Sequence, residues 1–536
     1  MKNGSLKCLI LKCVEMSIIR FLSLIFLKLD LIARYGQSNR SLKNQRARSD
    51  IFRKNKKIMT IKAAKKMIEY CRRDTEITGR FVETMREKYE SVGAELKTTV
   101  ASSTLSFFES QFFKRVSNPF TEEQLDWFHT GYYGGRTEVF FNKPVAGKIF
   151  YHDVNGLYAF CLKTGVFPVL EHFYETKKPN LEFEGLAECE VTAPGTLSIP
   201  YLPVRHEGKL VFPTGNFRGV YTYFEIREAK KLGYEMGKVY RSIEFPERFN
   251  PFERFIESVN AQRLLAKEKG DLLLDHMWKD FGNHSYGKWA QNNDSTKMFP
   301  TRLLSKCDCQ LKENERCKID RHLKGGDEFF GERSELVFRN AKTDYARYAN
   351  CIWSMYTTAQ ARHVLYPYLT EVEKAGGLLL YCDTDSVIYE HRHPLFPDSK
   401  DLGGMKLERP KSVTGKDLGD FYVYAHFKLP KLYCLKEPSG TSLYRSKGVP
   451  TCSNKSEHGA NCQCLAKEFF ENGKVQFKKP NKMRESFRRN ISPNRKYKVI
   501  PNYWEFRQKE IKGRYTKRIV LKDGSTRPLV LNRTDQ

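Results

Sequence analysis

Acidic residues and long apolar runs are both scarce in this chain of 536 residues. It contains 63 Asp and Glu against 92 Lys and Arg, so its formal net charge at pH 7 is +29. An excess of positive charge opposes compaction and favours a polyanionic partner, of which nucleic acid is the simplest. The longest uncharged stretch of the apolar N-terminal segment, 21–27, is far shorter than the about 18–20 residues that span a bilayer. We therefore expect no membrane partner.

Cysteine is also infrequent, with 14 residues in the chain. This content excludes a small secreted scaffold built on disulfides and indicates a reducing, intracellular compartment. The first 14 residues contain three lysines and no acid, which leaves a mitochondrial presequence open, although the first arginine is Arg20. Otherwise the localisation is unknown. Hydrophobic residues at 40%, with 35 glycines in addition, fall in the range of globular proteins.

The segment LLLYCDTDSVIY (378–389) places two carboxylates, Asp383 and Asp385, in a turn between two β-prone runs. Side chains two residues apart in extended chain point the same way, so both carboxylates can face one space. Adjacent carboxylates repel unless a cation lies between them, and Mg²⁺ is the natural partner of oxygen ligands. From these residues alone, an ordinary polar hairpin turn is an equal alternative.

A further carboxylate, Asp153, ends a predicted strand in KIFYHDVNGLY (148–158). Two-metal phosphoryl transfer requires carboxylates that bridge both ions. Asp153 and Asp383 could bridge while Asp385 supports them, and the Val154 carbonyl could reach the ion that holds a triphosphate. Viewed alone, Asp153 could equally be a residue that initiates a turn.

Two predicted helices, 251–270 and 271–292, carry cations at helical spacing. Lys279, Asn283 and Gly287 share one face of the second helix, and Arg263 and Lys267 share one face of the first. A triphosphate between the helices would offset the repulsion among these cations, and Gly287 would let a flat base pair approach. A solvated basic face is the alternative.

Three segments together resemble a known family. DVNGLY (153–158), KDFGNHSYGK (279–288) and YCDTDSV (381–387) resemble motifs A, B and C of family-B DNA polymerases, in the same order. The residues of these motifs are most similar to those of the protein-primed branch of phages, adenoviruses, linear plasmids and Maverick-type elements. YYGG (132–135), KLY (431–433) and YCRRD (70–74) resemble its linker, its primer-terminus motif and its third exonuclease motif. The resemblance implies an α+β fold with the palm, fingers and thumb of a right-hand polymerase.

The resemblance also implies roles for individual residues. The catalytic residues would be Asp153, Asp383 and Asp385, and two Mg²⁺ ions would be held by Asp153, Val154 and Asp383. The residues that contact the incoming nucleotide would be Val154, Tyr158, Arg263, Lys267, Lys279, Asn283 and Tyr286, with Tyr158 excluding a 2′-hydroxyl. The residues that contact DNA would be Tyr132, Gly134, Gly135, Gly287, Arg362, Lys431 and Tyr433. The implied partners are primer–template DNA, deoxynucleotides and a terminal priming protein.

The corresponding domain boundaries are a residual exonuclease-like region (1–115), a linker with the YxGG motif (116–146), palm (147–250), fingers (251–292), an insertion (293–345), palm (346–450) and a basic thumb (451–536). Two departures from the family stand out. His284 replaces a serine of motif B, and only Asp74 has a counterpart among the exonuclease carboxylates. We therefore expect a truncated exonuclease region and no proofreading. A catalytically inactive remnant that binds DNA is the alternative function, and a reverse transcriptase fits motif B less well.

Two groups of cysteine and histidine remain. Cys307, Cys309, Cys317 and His322 form one, and Cys452, His458, Cys462 and Cys464 form the other. Neither has the usual Cys-x2–4-Cys spacing of a zinc site, so zinc is not expected. The tail 474–518 has 16 Lys and Arg against three acids, interleaved with aromatic residues such as Phe477 and Tyr515. This pattern favours nucleic-acid binding, with an ordinary aromatic core as the alternative.

Overall fold

The computed structural model describes residues 61–97, 99–114, 118–291, 294–300, 336–342, 345, 350–410, 417–452, 458, 462–480, 504–511 and 513–532. The chain divides into two compact units, 1–96 and 97–536. The described part of the first unit contains one long helix, and Asp74 is exposed on it. Across the described ranges, no helix has both the length and the apolar character needed to cross a membrane.

The helices are α1 (Ile61–Ser91), α2 (Val100–Gln111), α3 (Glu122–Thr130), α4 (Leu157–Thr164), α5 (Tyr223–Lys231), α6 (Glu253–Glu268), α7 (Leu272–His284), α8 (Tyr286–Trp289), α9 (Cys351–Lys374) and α10 (Cys464–Asn472). The strands are β1 (Thr137–Val139), β2 (Val145–Val154), β3 (Phe167–Pro168), β4 (Tyr174–Thr176), β5 (Glu184–Ala193), β6 (Val204–His206), β7 (Lys209–Val211), β8 (Thr214–Thr222), β9 (Glu235–Phe245), β10 (Arg248–Phe249), β11 (Asp294–Pro300), β12 (Leu336–Lys342), β13 (Leu378–Asp383), β14 (Ser386–Glu390), β15 (Met405–Leu407), β16 (Tyr422–Leu429), β17 (Leu432–Lys436), β18 (Ser442–Ser446), β19 (Lys474–Pro480), β20 (Trp504–Glu510), β21 (Arg518–Val520), β22 (Thr526–Pro528) and β23 (Val530–Leu531).

An antiparallel sheet in the order β1–β13–β14–β2–β16–β17–β18 forms the centre of the second unit, with β15 also paired to β2. Its central strands are apolar on both faces because both faces are covered. Val387 and Tyr389 pack with Leu365 of α9 on one side. Tyr381 and Ile388 belong to a second cluster on the other side. The α+β fold class predicted from the motifs is confirmed, and the hairpin predicted over 378–389 is β13–β14.

A second sheet, in the order β23–β8–β5–β9–β4, packs against α5. Its edge strand β23 comes from the C-terminal end of the chain and pairs in parallel with β8. Nearby, Tyr515 is buried and its hydroxyl accepts a hydrogen bond from the Val139 N–H at 2.9 Å. The core alternative is therefore correct for Tyr515, and Phe477 is also buried.

The helix pair α6–α7 forms as its sequence predicts, with differences at its ends. Gly270 has φ of 67° after α6, and the Asp271 side chain accepts from the Leu274 N–H at the start of α7. The first helix begins at Glu253 rather than at 251, because the Asn250 side chain accepts from the backbone N–H groups of Phe252 and Glu253. The second ends at His284, and the short α8 follows before 292.

Two further segments contain regular secondary structure. The linker segment, 116–146, contains α3, which is stabilised by a capping box between Thr121 and Gln124. Between motifs B and C, β11 and β12 pair as an antiparallel hairpin. The first cysteine group, Cys307, Cys309, Cys317 and His322, lies outside the described residues.

Candidate active site

Strand register brings the three predicted acids to one edge of the central sheet. Ser386 of β14 is opposite Asp383 in β13 and opposite Asp153 in β2. The Val154 N–H donates to the Asp385 carbonyl at 2.7 Å, which joins the end of β2 directly to the turn. Residues separated by about 230 positions in sequence thus meet because β14 pairs with both neighbouring strands.

The turn that carries the acids is supported from the linker segment. Thr384 adopts φ of 64°, a conformation that a β-branched residue rarely takes, and its N–H donates to the Arg136 carbonyl at 2.7 Å. A Cβ on the preceding Gly135 would lie 2.8 Å from the Thr384 Oγ1 and Cγ2 atoms. Gly135 thus leaves the space that Thr384 occupies, whereas Gly134 is exposed and has open space around it.

Burial and mutual repulsion act on two of the carboxylates. Burial, together with the charge of Asp385, raises the pKa of Asp153 to about 7. Burial, together with the charge of Asp383, raises the pKa of Asp385 to about 6. These shifts mean that the protein alone leaves negative charge at this edge undercompensated. The all-oxygen donor set, with the backbone carbonyl of Val154 nearby, fits Mg²⁺.

Asp383 has its own set of partners in the cleft. Its Oδ1 is 3.1 Å from the Lys431 Nζ and accepts from the Thr137 hydroxyl at 3.0 Å. Its Oδ2 accepts from the Tyr381 hydroxyl at 3.2 Å. Lys431 has φ of 60° in the turn between β16 and β17, and Tyr433 lines the same cleft. The primer-terminus motif predicted from sequence is therefore in direct contact with motif C.

Tyr158, the residue predicted to exclude a 2′-hydroxyl, is the last residue of the motif A segment. Gly156, with φ of 58°, turns the chain from β2 into α4, and Tyr158 follows on the first turn of that helix. The Tyr158 and Tyr286 rings stack with centroids 4.2 Å apart. Burial, with the neighbouring Tyr286 as a lesser cause, raises the pKa of Tyr158, so its hydroxyl stays protonated. Motifs A and B thus meet through two aromatic rings.

The cationic side chains that are predicted to bind the triphosphate lie on α6 and α7. The Arg263 guanidinium donates to Asp275 at 2.8 Å, so an ion pair already links the two helices. Lys267 and Lys279 are exposed, and Asn283 is half-buried. Gly287 is exposed and a Cβ there would meet no atom within 4 Å. The open space at Gly287 is consistent with the close approach predicted for a base pair.

Arg362 occupies a different environment from the template contact that we predicted. Its guanidinium is buried, pairs with Glu225 at 2.6 Å and donates to the carbonyls of Tyr133 and Gly134. A side chain enclosed in this way holds the linker against α9 rather than facing DNA. Tyr132, in the same linker, is partly buried, and burial raises its pKa.

Sequence reasoning missed three residues that support the acids. Thr137 and Tyr381 donate to Asp383, and Arg136 accepts from Thr384. Arg136 and Thr137 follow the YYGG segment directly, and Tyr381 is the first residue of the motif C segment. Their closeness to motifs was the available signal, but nothing in the sequence shows that β1 pairs with β13.

Comparisons with known proteins all point to the same family. Residues 26–324 match the family described as DNA polymerase type B, organellar and viral, a span of more than half the chain. A DNA-directed DNA polymerase of Enterobacteria phage PRD1 is 28% identical over 306 residues, covering 54% of this chain and 49% of that protein. A probable DNA polymerase of Podospora anserina is 26% identical over 356 residues, covering 59% and 27%.

A solved structure shows the same fold. A phi29 DNA polymerase in complex with primer–template DNA and incoming nucleotides aligns with a TM-score of 0.53 at 16% identity, covering 77% of this chain and 67% of that chain. This chain spans about half the length of the phage PRD1 relative and about a quarter of the Podospora relative.

The contact between Gly135 and Thr384 predicts that the two glycines of the linker differ in tolerance. Gly135→Ala should lower the free energy of unfolding by about 1–3 kcal/mol, because the new methyl group collides with a residue whose backbone is already constrained. Gly134→Ala is the matched control and should stay within about 0.5 kcal/mol of wild type. Urea denaturation measures both. Equal effects of the two substitutions would contradict this packing.

The raised pKa of Asp153 predicts a pH-dependent stability difference. Between the usual value of about 4 and about 7, the folded chain keeps a proton that the unfolded chain releases. In magnesium-free buffer, wild type should therefore lose stability relative to Asp153→Asn as the pH rises from 4 to 7. Adding Mg²⁺ at pH 8 should stabilise wild type more than the variant. A difference that does not change with pH, measured by urea denaturation, would show that Asp153 titrates normally.

Proposed function

The chain belongs to the family of organellar and viral type B DNA polymerases, and from this premise we propose that it is a DNA-directed DNA polymerase. The reaction is the template-directed transfer of a deoxynucleotide onto a 3′-hydroxyl. The observation that carries the proposal is the meeting of Asp153, Asp383 and Asp385 at one sheet edge, beside Lys431.

Metal ions have a defined place in this proposal. Asp153 and Asp383 would hold two Mg²⁺ ions, with the Val154 carbonyl as a further ligand and Asp385 adjacent. Bound there, the ions would supply charge stabilisation for the attacking and leaving oxygens of an in-line displacement. The elevated pKa of Asp153 supports the assignment, since a site that disfavours its own negative charge gains most from a cation.

The remaining residues would position the substrates. Lys267 and Lys279 are exposed cations on adjoining helices and would bind the triphosphate, while Arg263 would exchange Asp275 for phosphate. Asn283, Tyr286 and Gly287 would face the nascent base pair. The phi29 structure contains primer–template DNA and nucleotides, and we propose the same two partners for this chain.

The primer would be held on the opposite side of the cleft. Lys431 and Tyr433 would contact its end, and Tyr132, Gly134 and Gly135 would lie along the strand. Arg362 is omitted from this set because it is enclosed by protein. The resemblance to the protein-primed branch extends the proposal to initiation on a hydroxyl of a terminal priming protein.

The division into palm, fingers and thumb is part of the same proposal. The central sheet would be the palm, α6–α8 the fingers, and the segment 451–536 a basic thumb. The last part of that segment differs in character, because β23 pairs with β8, Thr526 of β22 donates to the Phe140 carbonyl, and Tyr515 packs in the core of the central sheet. We therefore limit the proposed thumb to residues before 513.

We also propose that the chain does not proofread. Asp74 is exposed on α1, and no residue of the first unit that the structure describes belongs to a group of three or more potential metal ligands. The test is a mispaired, end-labelled primer incubated with Mg²⁺ and no nucleotides. Shortening that persists in Asp383→Asn and disappears in Asp74→Ala would demonstrate an exonuclease.

Asp383→Asn should reduce primer extension by at least about 100-fold, since it removes a metal ligand worth several kcal/mol in the transition state. Duplex affinity should change little, because no phosphate contact is lost. Asp523→Asn, at an exposed turn, is the control and should extend normally. Extension by Asp383→Asn within tenfold of wild type would contradict the assignment. A wild-type chain that binds duplex without extending it would favour the inactive remnant.

Tyr158→Val should raise the use of ribonucleotides relative to deoxynucleotides by roughly 10–100-fold, because the ring that blocks a 2′-hydroxyl is gone. Tyr158→Phe keeps the ring and its stack on Tyr286, and should retain the selectivity of wild type. Single-nucleotide incorporation rates measure both ratios. An unchanged ratio in Tyr158→Val would make Tyr158 a packing residue only.

A further inference from the structure

The second cysteine and histidine group is brought together by the fold. One ligand atom from each of Cys452, His458, Cys462 and Cys464 lies within 4.8 Å of those of the other three. The Cys452 Sγ is 3.4 Å from the His458 Nδ1 and 3.5 Å from the Cys464 Sγ. The Cys464 Sγ is 3.9 Å from the His458 Nδ1.

These separations are those of ligands around one small ion. With Zn–S of about 2.3 Å and Zn–N of about 2.0–2.1 Å, tetrahedral geometry places neighbouring ligand atoms about 3.5–3.8 Å apart. A disulfide requires about 2.05 Å between sulfurs, much less than the 3.5 Å between Cys452 and Cys464. The separations among the Cys452, His458 and Cys464 ligand atoms, 3.4–3.9 Å, are close to these values, and the Cys462 Sγ lies within 4.8 Å of each of them.

The backbone holds the group at the junction of two ordered elements. The Thr451 carbonyl accepts from the N–H groups of Leu465 and Ala466 in α10, at 3.1 and 3.3 Å. This contact places Cys452, which follows β18, next to Cys464, the first residue of α10. The Gln463 side chain also accepts from the Tyr444 N–H at 2.6 Å. Cys452 and Cys464 are therefore positioned by the surrounding fold.

The unusual sequence spacing has a structural explanation. Cys462 and Cys464 flank the start of α10, so a Cys-x-Cys pair contributes one ligand before the helix and one on its first turn. The usual Cys-x2–4-Cys spacing serves a compact turn, whereas here two elements converge. The absence of this spacing was the reason not to expect zinc. Because the fold brings the four residues together in another way, that reason no longer holds.

We propose that Cys452, His458, Cys462 and Cys464 form a structural Zn²⁺ site. Thiolate and imidazole ligands favour zinc over Mg²⁺, and four protein ligands leave no position open for catalysis. On binding, each of the three cysteines releases its proton to solvent. Cys464 and His458 are exposed, so zinc can enter from solution, while Cys452 is buried.

A zinc ion at this site would stabilise the packing of α10 against β17, the strand that follows Lys431 and carries Tyr433. Leu465 and Phe469 of α10 pack in one cluster with Leu432 and Cys434 of β17. Lys431 and Tyr433 are the neighbours of Leu432. Fixing the start of α10 to the end of β18 therefore holds the layer beneath these two residues. Zinc binding does not depend on the polymerase chemistry proposed above, whereas its role beneath Lys431 and Tyr433 rests on that proposed function.

Zinc content per chain is the direct test, measured by plasma mass spectrometry on the full chain purified without chelator under reducing conditions and reconstituted with ZnCl₂. Cys452→Ser/Cys464→Ser should contain one equivalent less than wild type. His172→Gln, at an exposed histidine elsewhere, should match wild type. Cys307→Ser/Cys309→Ser reports separately on the other cysteine group. Wild-type zinc content in the Cys452/Cys464 variant, or no bound zinc in wild type, would overturn the proposal.

A pair of substitutions at exposed His458 keeps the test decisive if the cysteine variant does not fold. His458→Gln should bind zinc at least about 10-fold more weakly, whereas His458→Cys supplies a fourth thiolate and should bind it tightly. Cobalt substitution adds a signature, since Co²⁺ in a tetrahedral thiolate site absorbs strongly in the visible range. Equal zinc affinity of His458→Gln and wild type, or cobalt spectra unchanged by it, would exclude His458 as a ligand and overturn the four-residue site.

Discussion

Repulsion among three carboxylates at the end of β2 and in the β13–β14 turn is the constraint on which the site depends. Pairing of β14 with both neighbours forces Asp153, Asp383 and Asp385 to one edge of the sheet. Burial raises the pKa of Asp153 to about 7, so the fold holds these groups against their electrostatic preference. Lys431, 3.1 Å from Asp383, offsets part of the charge, and the remainder is the charge that the proposed divalent ions would neutralise.

The turn that carries the acids depends on a buried ionic group behind it. Arg136 donates to Glu138 at 2.6 Å, and Arg518 lies 3.8 Å from the same carboxylate, with all three side chains buried. The Arg136 carbonyl accepts from Thr384. Removing one partner of such a group leaves a charge uncompensated in the interior. Residues near the two ends of the second unit thereby support the same turn.

The sequence contained the local parts of this site and few of the long-range ones. The apolar, β-prone runs on either side of Asp383 and Asp385 predict the hairpin, and Gly270 with Asp271 predicts the helix junction, because both depend on near neighbours. The buried position of Arg362 could not be predicted from the sequence, because its partner Glu225 is 137 positions away and nothing local shows that α9 faces α5. Tyr515 resembled a nucleic-acid contact until its packing was visible. The Cys452 group required the folded distance between β18 and α10.

Asp153 and Asp383 would together hold two divalent ions in the proposed mechanism. The most direct measurement is the anomalous scattering of Mn²⁺ in crystals of the chain with primer–template DNA and a non-hydrolysable deoxynucleotide. We expect two peaks about 3.5–4 Å apart, both within bonding distance of Asp153 and Asp383. Peaks elsewhere, or an ordered nucleotide in the cleft with no metal between these two carboxylates, would contradict it.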